Sequence, residues 1–535
     1  MAQGEERMRI HAIEAGSAVA KARRLYGADA RFGRRATVGP SYFFVGALLI
    51  MTVGLVLRMW NLGGASLWTD EVLTALRAQA PFQESLKSLM GAGNQTPLYF
   101  WSLRLFPNTT ETLLRLPSAL LGLVGIALLM AAVLRFYHDR EMALWVGALL
   151  AVNPFHVWLS RTARPYSMVF VLSLIVTWSF FQLWRGHRTR QTWIVFTLSS
   201  LVAYATHFTT AALLGAEAML FAFAFLAERR LRPWFRQWVA AQAIAAVPAL
   251  TWTYLVLRQP PKVVSHWIPR PELRDIPLTL WNMTLGYNGI FKWTMVPALM
   301  IVTLGLVFGV SYAIGERRRN EHNFFWLWLV VGPLTFIFLL SYFIVSIYVD
   351  RYFMVFLPAL VVLLVQGWYR FSPQAWRVAL GVIIVTCAYT VLFSFYDGSF
   401  RREDWPEAAT YVAERVEPGD AILLERDNTY EAFTRYYART APYLAGEDDV
   451  EAVQIVMLSD MPDPDTLVKQ ADRLWVIYRN PNEDVHRLGV MPDFDPFDPH
   501  LSTLGEWLST RRLQVQEIRA FNGMKVLLLD LDGES

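Results

Sequence analysis

Two adjacent carboxylates, Asp70 and Glu71, stand in the stretch Ser66-Leu67-Trp68-Thr69-Asp70-Glu71-Val72, shortly after the first apolar block of the chain. Adjacent side chains on a helix diverge by about 100°, so at most one of the pair can face a given reacting atom. A plainer reading uses the same residues: Ser66 or Thr69 caps a helix whose first turn is acidic because the macrodipole favours it. A second stretch, Asn94-Gln95-Thr96-Pro97-Leu98-Tyr99-Phe100-Trp101, leads from a polar proline turn into an aromatic run, as an interfacial aromatic belt would. His207, in Tyr204-Ala205-Thr206-His207-Phe208, falls at the end of an apolar block. A histidine at membrane depth marks a candidate functional site, and helix packing also accounts for it. One histidine without paired ligand spacing is a poor zinc site, which leaves a divalent cation as an open cofactor question at His207. The single cysteine, Cys387, excludes an intramolecular disulfide and a cysteine metal cluster.

The elements that must position these residues are membrane helices. Of 535 residues, 54% are hydrophobic and 14% aromatic, while 18% are charged, against about 25% in soluble proteins. The apolar residues fall in blocks of about twenty, enough to cross a hydrocarbon core of about 30 Å. This pattern predicts a mainly α, polytopic transmembrane domain over 41–398, with about eleven spans. They lie near 41–60, 113–134, 142–159, 166–184, 192–207, 209–227, 237–257, 293–314, 324–347, 352–369 and 378–397. The interval 192–227 reads either as two short helices meeting at His207 or as a bent pair. The net charge of +4 gives no support to nucleic-acid binding.

Basic residues instead mark short loops. With the N-terminus inside, the inner loops hold Arg135 and Arg140; Arg185, Arg188 and Arg190; Arg229, Arg230, Arg232 and Arg236; Arg317, Arg318 and Arg319; and Arg370 and Arg377. The outer segments 61–112 and 258–292 are longer and of mixed charge. Residues 1–40 are basic without an apolar core, as expected of a cytoplasmic tail and not of a signal peptide. From 399 to 535 the texture becomes that of a small α/β domain, and an odd number of spans puts it outside the cytoplasm.

Taken together, the acidic pair and the Gln95-Thr96-Pro97-Leu98-Tyr99 segment resemble the C-type (GT-C) glycosyltransferases that use polyprenyl-phosphate sugars. The closest resemblance is to the bacterial family-39 group related to protein O-mannosyltransferases and lipid A aminoarabinose transferases. It extends over about residues 40–370 and includes Asn153-Pro154-Phe155-His156, Ser160 through Arg164-Pro165-Tyr166, and Asp350-Arg351-Tyr352. Gln95 and Thr96 stand where relatives commonly carry a basic residue and a first proline. The resemblance implies a multi-pass protein of the bacterial cytoplasmic membrane that inverts the sugar configuration as an acceptor hydroxyl attacks the anomeric carbon and lipid phosphate departs. It implies Asp70 as general base, with Glu71 orienting the acceptor or the first-loop helix. It implies donor-phosphate or substrate contacts from Arg164, Tyr166, Arg351, Tyr352, Gln95 and Tyr99. Arginine forks suit a phosphate. The implied partners are a polyprenyl-phosphate sugar donor, the lipid bilayer, and a protein, lipid or glycan acceptor. A transporter or lipid flippase has a similar span count, but transporters concentrate charge and broken helices near the midplane. Here charge collects at span ends and in the first outer loop.

Overall fold

In the structure, a computed structural model, the described residues are 38–92, 95–106, 110–227, 232–259, 268–286, 293–315, 321–371, 374–396, 403–424, 427–440, 454–457, 471–479, 495–498, 503–510 and 514–531. The tail expected over 1–40 lies outside them up to residue 37. So do Arg229 and Arg230, Arg317 to Arg319, and the pair Arg401-Arg402.

The chain opens with α1 (Pro40–Met59) and then forms three short helices in the first outer segment, α2 (Thr69–Gln79), α3 (Phe82–Ala92) and α4 (Pro97–Ser102). The bundle continues with α5 (Glu111–Tyr137), α6 (Arg140–Val152), α7 (Pro154–Ser160), α8 (Tyr166–Trp184), α9 (Arg190–Thr206), α10 (Ala211–Ala227) and α11 (Arg232–Leu257). After α12 (Asp275–Thr284) come α13 (Val296–Gly315), α14 (Glu321–Phe343), the 3-10 segment Asp350–Val355, α15 (Leu357–Phe371) and α16 (Gln374–Tyr396). Among the described residues six helices are long and apolar enough to cross a membrane, and a seventh span results if α6 and α7 are taken as one. The other expected spans fall on shorter apolar stretches at Phe208–Ala222, Leu357–Tyr369 and Arg377–Phe393, the last within the 23-residue α16, and on the 17-residue α9. The chain is therefore a multi-pass membrane protein of mainly α structure. Its outer surface agrees: Tyr42, Phe44, Leu48 and Leu49 of α1 are all more than half exposed, an apolar face suited to lipid.

Local chemistry explains the breaks. Helices α6 and α7 meet at 61°, because Pro154 cannot donate its backbone nitrogen and Asn153 starts a new helix by accepting from His156 N–H at 2.8 Å. The carbonyls freed at the end of α6 are taken by Arg58, which donates to Ala151 O at 3.1 Å and Leu150 O at 3.4 Å. His207 is extended (φ −162°, ψ 138°), so α9 and α10 are two short helices flanking it. Helices α13 and α15 approach so closely that a Cβ on Gly367 would collide with Gly305 O, and one on Gly309 with Leu363 O.

Beyond the bundle, α17 (Trp405–Ala413) leads into β1 (Ala421–Leu424), α18 (Asp427–Thr440), β2 (Gln454–Met457), β3 (Arg473–Arg479), α19 (Thr503–Thr510), β4 (Gln514–Phe521) and β5 (Met524–Asp530). The sheet order is β2-β1-β3-β5-β4, with β1 parallel to β2 and β3, and β5 antiparallel to β3 and β4. The β4–β5 hairpin closes at Asn522-Gly523, where Gly523 takes φ 81°. This unit shares a core with the first outer segment: Leu67, Val72, Ala75 and Tyr99 pack in one apolar cluster with Trp405, Phe433 and Trp475.

Candidate active site

Helix α2 presents Asp70, Thr74 and Arg77 on one face, at the i, i+4 and i+7 spacing. Asp70 keeps 27% of its side chain exposed, and its Oδ2 lies 3.4 Å from Nη2 of Arg164, which is buried. Arg164 also donates to the Asp70 backbone carbonyl and to Thr74 Oγ1, each at 3.4 Å. Burial opposes the Arg164 charge, and the Asp70 carboxylate together with Tyr166 and Tyr352 outweighs it, so its pKa stands above the ordinary arginine value. Arg77, likewise buried, donates from Nε to Ser88 Oγ at 3.2 Å and lies 5.6 Å from the Phe100 ring centroid. Burial first, and then the Arg164 charge, pull the Arg77 pKa down to about 10.

The second wall comes from the 3-10 segment after α14. Arg351 is buried, with its guanidinium 5.9 Å from the Trp68 ring centroid and 5.8 Å from that of Tyr352. Its neighbour Asp350 turns to α12, accepting from Thr279 Oγ1 at 2.7 Å and from Asn282 Nδ2. Burial pushes the Asp350 carboxyl above its usual value. His207 sits between rings, 5.8 Å from Tyr166, 5.4 Å from Tyr352 and 4.7 Å from Phe208. Its Nδ1 pairs with Thr209 Oγ1 at 2.8 Å.

Six of the residues singled out in the sequence, Asp70, Arg164, Tyr166, His207, Arg351 and Tyr352, thus gather at one end of the bundle. Among the described residues the Tyr166 hydroxyl, His207 Nε2 and Arg164 Nε have no hydrogen-bond partner although they are buried. Buried polar atoms are normally paired, so these three suit a polar ligand. Three buried guanidinium groups, Arg77, Arg164 and Arg351, surround one partly exposed carboxylate, and that balance favours an anion.

The other sequence candidates lie elsewhere in the wall. Glu71 is sealed: Oε1 accepts from Arg115 Nε at 2.9 Å and from Ala163 N–H at 2.7 Å, and Oε2 from Arg115 Nη2 at 2.6 Å. Arg115 also donates to the carbonyls of Leu62, Ala65 and Ser66, so the pair staples the first outer segment to α5 and to the loop before α8. Tyr99 hydrogen-bonds Ser118 at 2.8 Å, and Ser118 donates to Arg164 O at 3.1 Å, so Tyr99 braces the arginine from behind. Gln95 is buried just before α4.

The local caps expected at Ser66 and Thr69 do not form. The N-cap position is Trp68, without a side-chain cap. Thr69 is already helical, and both its N–H and its hydroxyl donate to Glu403 Oε2, at 2.7 and 2.5 Å. The metal reading of His207 also fits poorly. The positive fields of Arg164 and Arg351 both reach its ring, and among the described residues no group of three His, Cys, Asp or Glu could hold an ion. Sequence reasoning passed over Arg77 and Arg115, and took Glu403 only as part of Arg401-Arg402-Glu403-Asp404-Trp405, which resembles a docking linker after the membrane domain. The heptad offset from Asp70 could have found Arg77, whereas Glu403 acts from more than three hundred residues away and leaves no local signal.

The fold is that of the C-type glycosyltransferases. The chain resembles the aminoarabinose transferase ArnT from Cupriavidus metallidurans in its apo state, with a TM-score of 0.54 and 16% identity over 91% of this chain and 97% of that one. It also matches ArnT bound to undecaprenyl phosphate (TM-score 0.49, 14% identity, 92% and 98% covered). A further match is the apo oligosaccharyltransferase of Archaeoglobus fulgidus (TM-score 0.43, 11% identity, 83% and 70% covered). No protein-family model and no curated protein sequence matches the chain.

Proposed function

We propose that this protein transfers a sugar, hexose or pentose, from a polyprenyl-phosphate carrier to an acceptor hydroxyl at the outer face of the bacterial cytoplasmic membrane, with inversion. The observation that carries the reading is the pairing of partly exposed Asp70 with buried Arg164, beside buried Arg351, on a C-type glycosyltransferase fold. Asp70 takes the acceptor proton, which requires an approach of about 2.6–3.2 Å. The acceptor oxygen then bonds to the anomeric carbon while the bond from that carbon to the phosphate oxygen breaks. Arg164 and Arg351 hold the phosphate as its charge grows, the Arg164 fork already oriented by Asp70 and Thr74. Tyr166 and His207 offer their unpaired polar atoms to the sugar or phosphate. A retaining route would need a second carboxylate across the anomeric carbon. Glu71 is spoken for by Arg115 and Asp350 by Thr279 and Asn282. No step runs through a metal.

In this reading the N-terminus is cytoplasmic, and the sheet-bearing C-terminal region is extracytoplasmic, beside the first outer segment it packs on. The kinship to the family-39 mannosyltransferase-like group and the acceptor class, whether protein, lipid or glycan, belong to the same proposal. The test is transfer in vitro from polyprenyl-phosphate sugars, comparing the parent with Asp70→Asn. The expected result is transfer by the parent and a loss of about 10²–10⁴-fold in the variant. Equal transfer by both would remove Asp70 from the chemistry, and a reporter at residue 400 found on the cytoplasmic side would overturn the topology.

A further inference from the structure

We infer that Glu403, in the segment that leaves the membrane domain, is a positioning residue that sets where Asp70 stands; the inference rests on the proposed role of Asp70. The first turn of any helix leaves backbone N–H groups without partners, and α2 has no cap of its own. Glu403 supplies one from far along the chain, its Oε2 accepting both the N–H and the hydroxyl of Thr69, the residue immediately before Asp70. A carboxylate at that end is also favoured by the helix dipole.

The same carboxylate is fixed from the other side. Its Oε1 accepts from Arg479 at the end of β3, at 2.9 Å from Nε and 2.8 Å from Nη2, and the Trp405 indole donates to Oε2. Glu403 is fully buried, so this ion pair is shielded from water and geometrically defined. Three further contacts tie the same pieces together. Ser66 Oγ donates to Glu403 O at 3.4 Å, Leu67 N–H to the Tyr436 hydroxyl on α18 at 2.8 Å, and Asp404 N–H to Asn522 O in the β4–β5 turn at 3.1 Å. Arg164 and Arg351 belong to other elements, the loop before α8 and the 3-10 segment after α14. The C-terminal unit thus holds the first turn of α2, and with it the base, through Glu403, while the backbones that carry the phosphate-holding arginines belong to the membrane bundle.

That division gives a signature that a merely structural residue would not leave. A shift of about 1 Å in a catalytic group can cost about 10²-fold in rate, so Glu403→Ala lowers kcat by about that factor, with a much smaller rise in donor KM through the Arg164 contacts to Asp70 and Thr74. Glu403→Gln keeps an acceptor for Thr69 but loses the charge facing Arg479, and falls between the parent and Glu403→Ala. A residue needed only for packing would give an isosteric glutamine parent activity. Thr69→Val lowers kcat in the same sense, and Thr69→Ser restores it.

The accompanying measurement needs no substrate: hydrogen exchange, in nanodiscs, of peptides covering 68–79 and of peptides from β1 and β5. The expected result in Glu403→Ala and Thr69→Val is faster exchange over 68–79 with the strands still protected, which separates loss of the cap from loss of folding. Unchanged exchange over 68–79 in both variants overturns the inference, as does faster exchange with parent kcat. Faster exchange in the variants of a parent that transfers no sugar supports the strut and overturns the proposed function instead.

Discussion

The two ends of the helix bundle use burial in opposite ways. At one end, Tyr166 at the start of α8 and His207 just after α9 are buried, with the Tyr166 hydroxyl and His207 Nε2 unpaired among the described residues, beside buried Arg164 and Arg351. At the other end of the bundle rings dominate the packing, around a polar cluster in which Tyr137 and Gln366 both donate to Asn323 Oδ1. Phe181 of α8 lies 4.8 Å from Phe136 and 4.9 Å from Phe325, and Phe221 of α10 lies 4.4 Å from Trp234. Within lipid, helix association depends on such packing more than on any hydrophobic drive. The aromatic end can therefore anchor the bundle while the other end carries buried cations around a partly exposed carboxylate, a division that predicts separable failures.

The largest expected effect is the loss of transfer in Asp70→Asn, about 10²–10⁴-fold, with a thermal shift well below that of Arg115→Met, because the Asp70–Arg164 pair is longer and Asp70 is partly exposed. A matching loss of thermal stability would break the contrast, because Asp70 would then be holding the fold. Next comes Arg115→Met. It leaves the Glu71 carboxylate buried and unpaired, which costs about 3–5 kcal/mol, and it should appear as a large drop in thermal stability and folded yield. Trp234→Ala, at the ring end, should lose about 3 kcal/mol through missing contacts while transfer per folded molecule stays at the parent level. Should its specific activity fall as steeply as its stability, the two ends are coupled and the division fails. The smallest effect is expected for Arg77→Gln, which removes one of three cations: transfer should fall by about tenfold, as suits about 1.4 kcal/mol. Because Arg77 is buried, raising the salt should change that loss little.

What could be read from the sequence was the set of polar groups in apolar surroundings, because charge is scarce there and each instance stands out. Asp70 and His207 were visible for that reason, Arg164 and Arg351 through the family resemblance, and the four converge in space. The spans were legible as apolar blocks, and several proved shorter than a span because backbone chemistry at Asn153-Pro154 and His207 divides the helices. Roles within a motif were harder to read. Asp70 and Glu71 are neighbours, yet one is partly exposed against Arg164 and the other is sealed on Arg115, and only the direction of each side chain separates them. The cap of α2 was illegible for a different reason. Thr69 looked like its own cap, whereas the acceptor it uses lies on a segment beyond the last membrane helix.

The glycine seam between α13 and α15 bears on motion. With Gly305 and Gly309 against the Leu363–Gly367 stretch, neither helix has room to rotate or slide past its neighbour, so the two should travel as one rigid body. Any widening that admits the tail of the proposed lipid-linked donor must then open along a different seam. Cross-linking α13 to α15 should leave turnover at its uncross-linked rate.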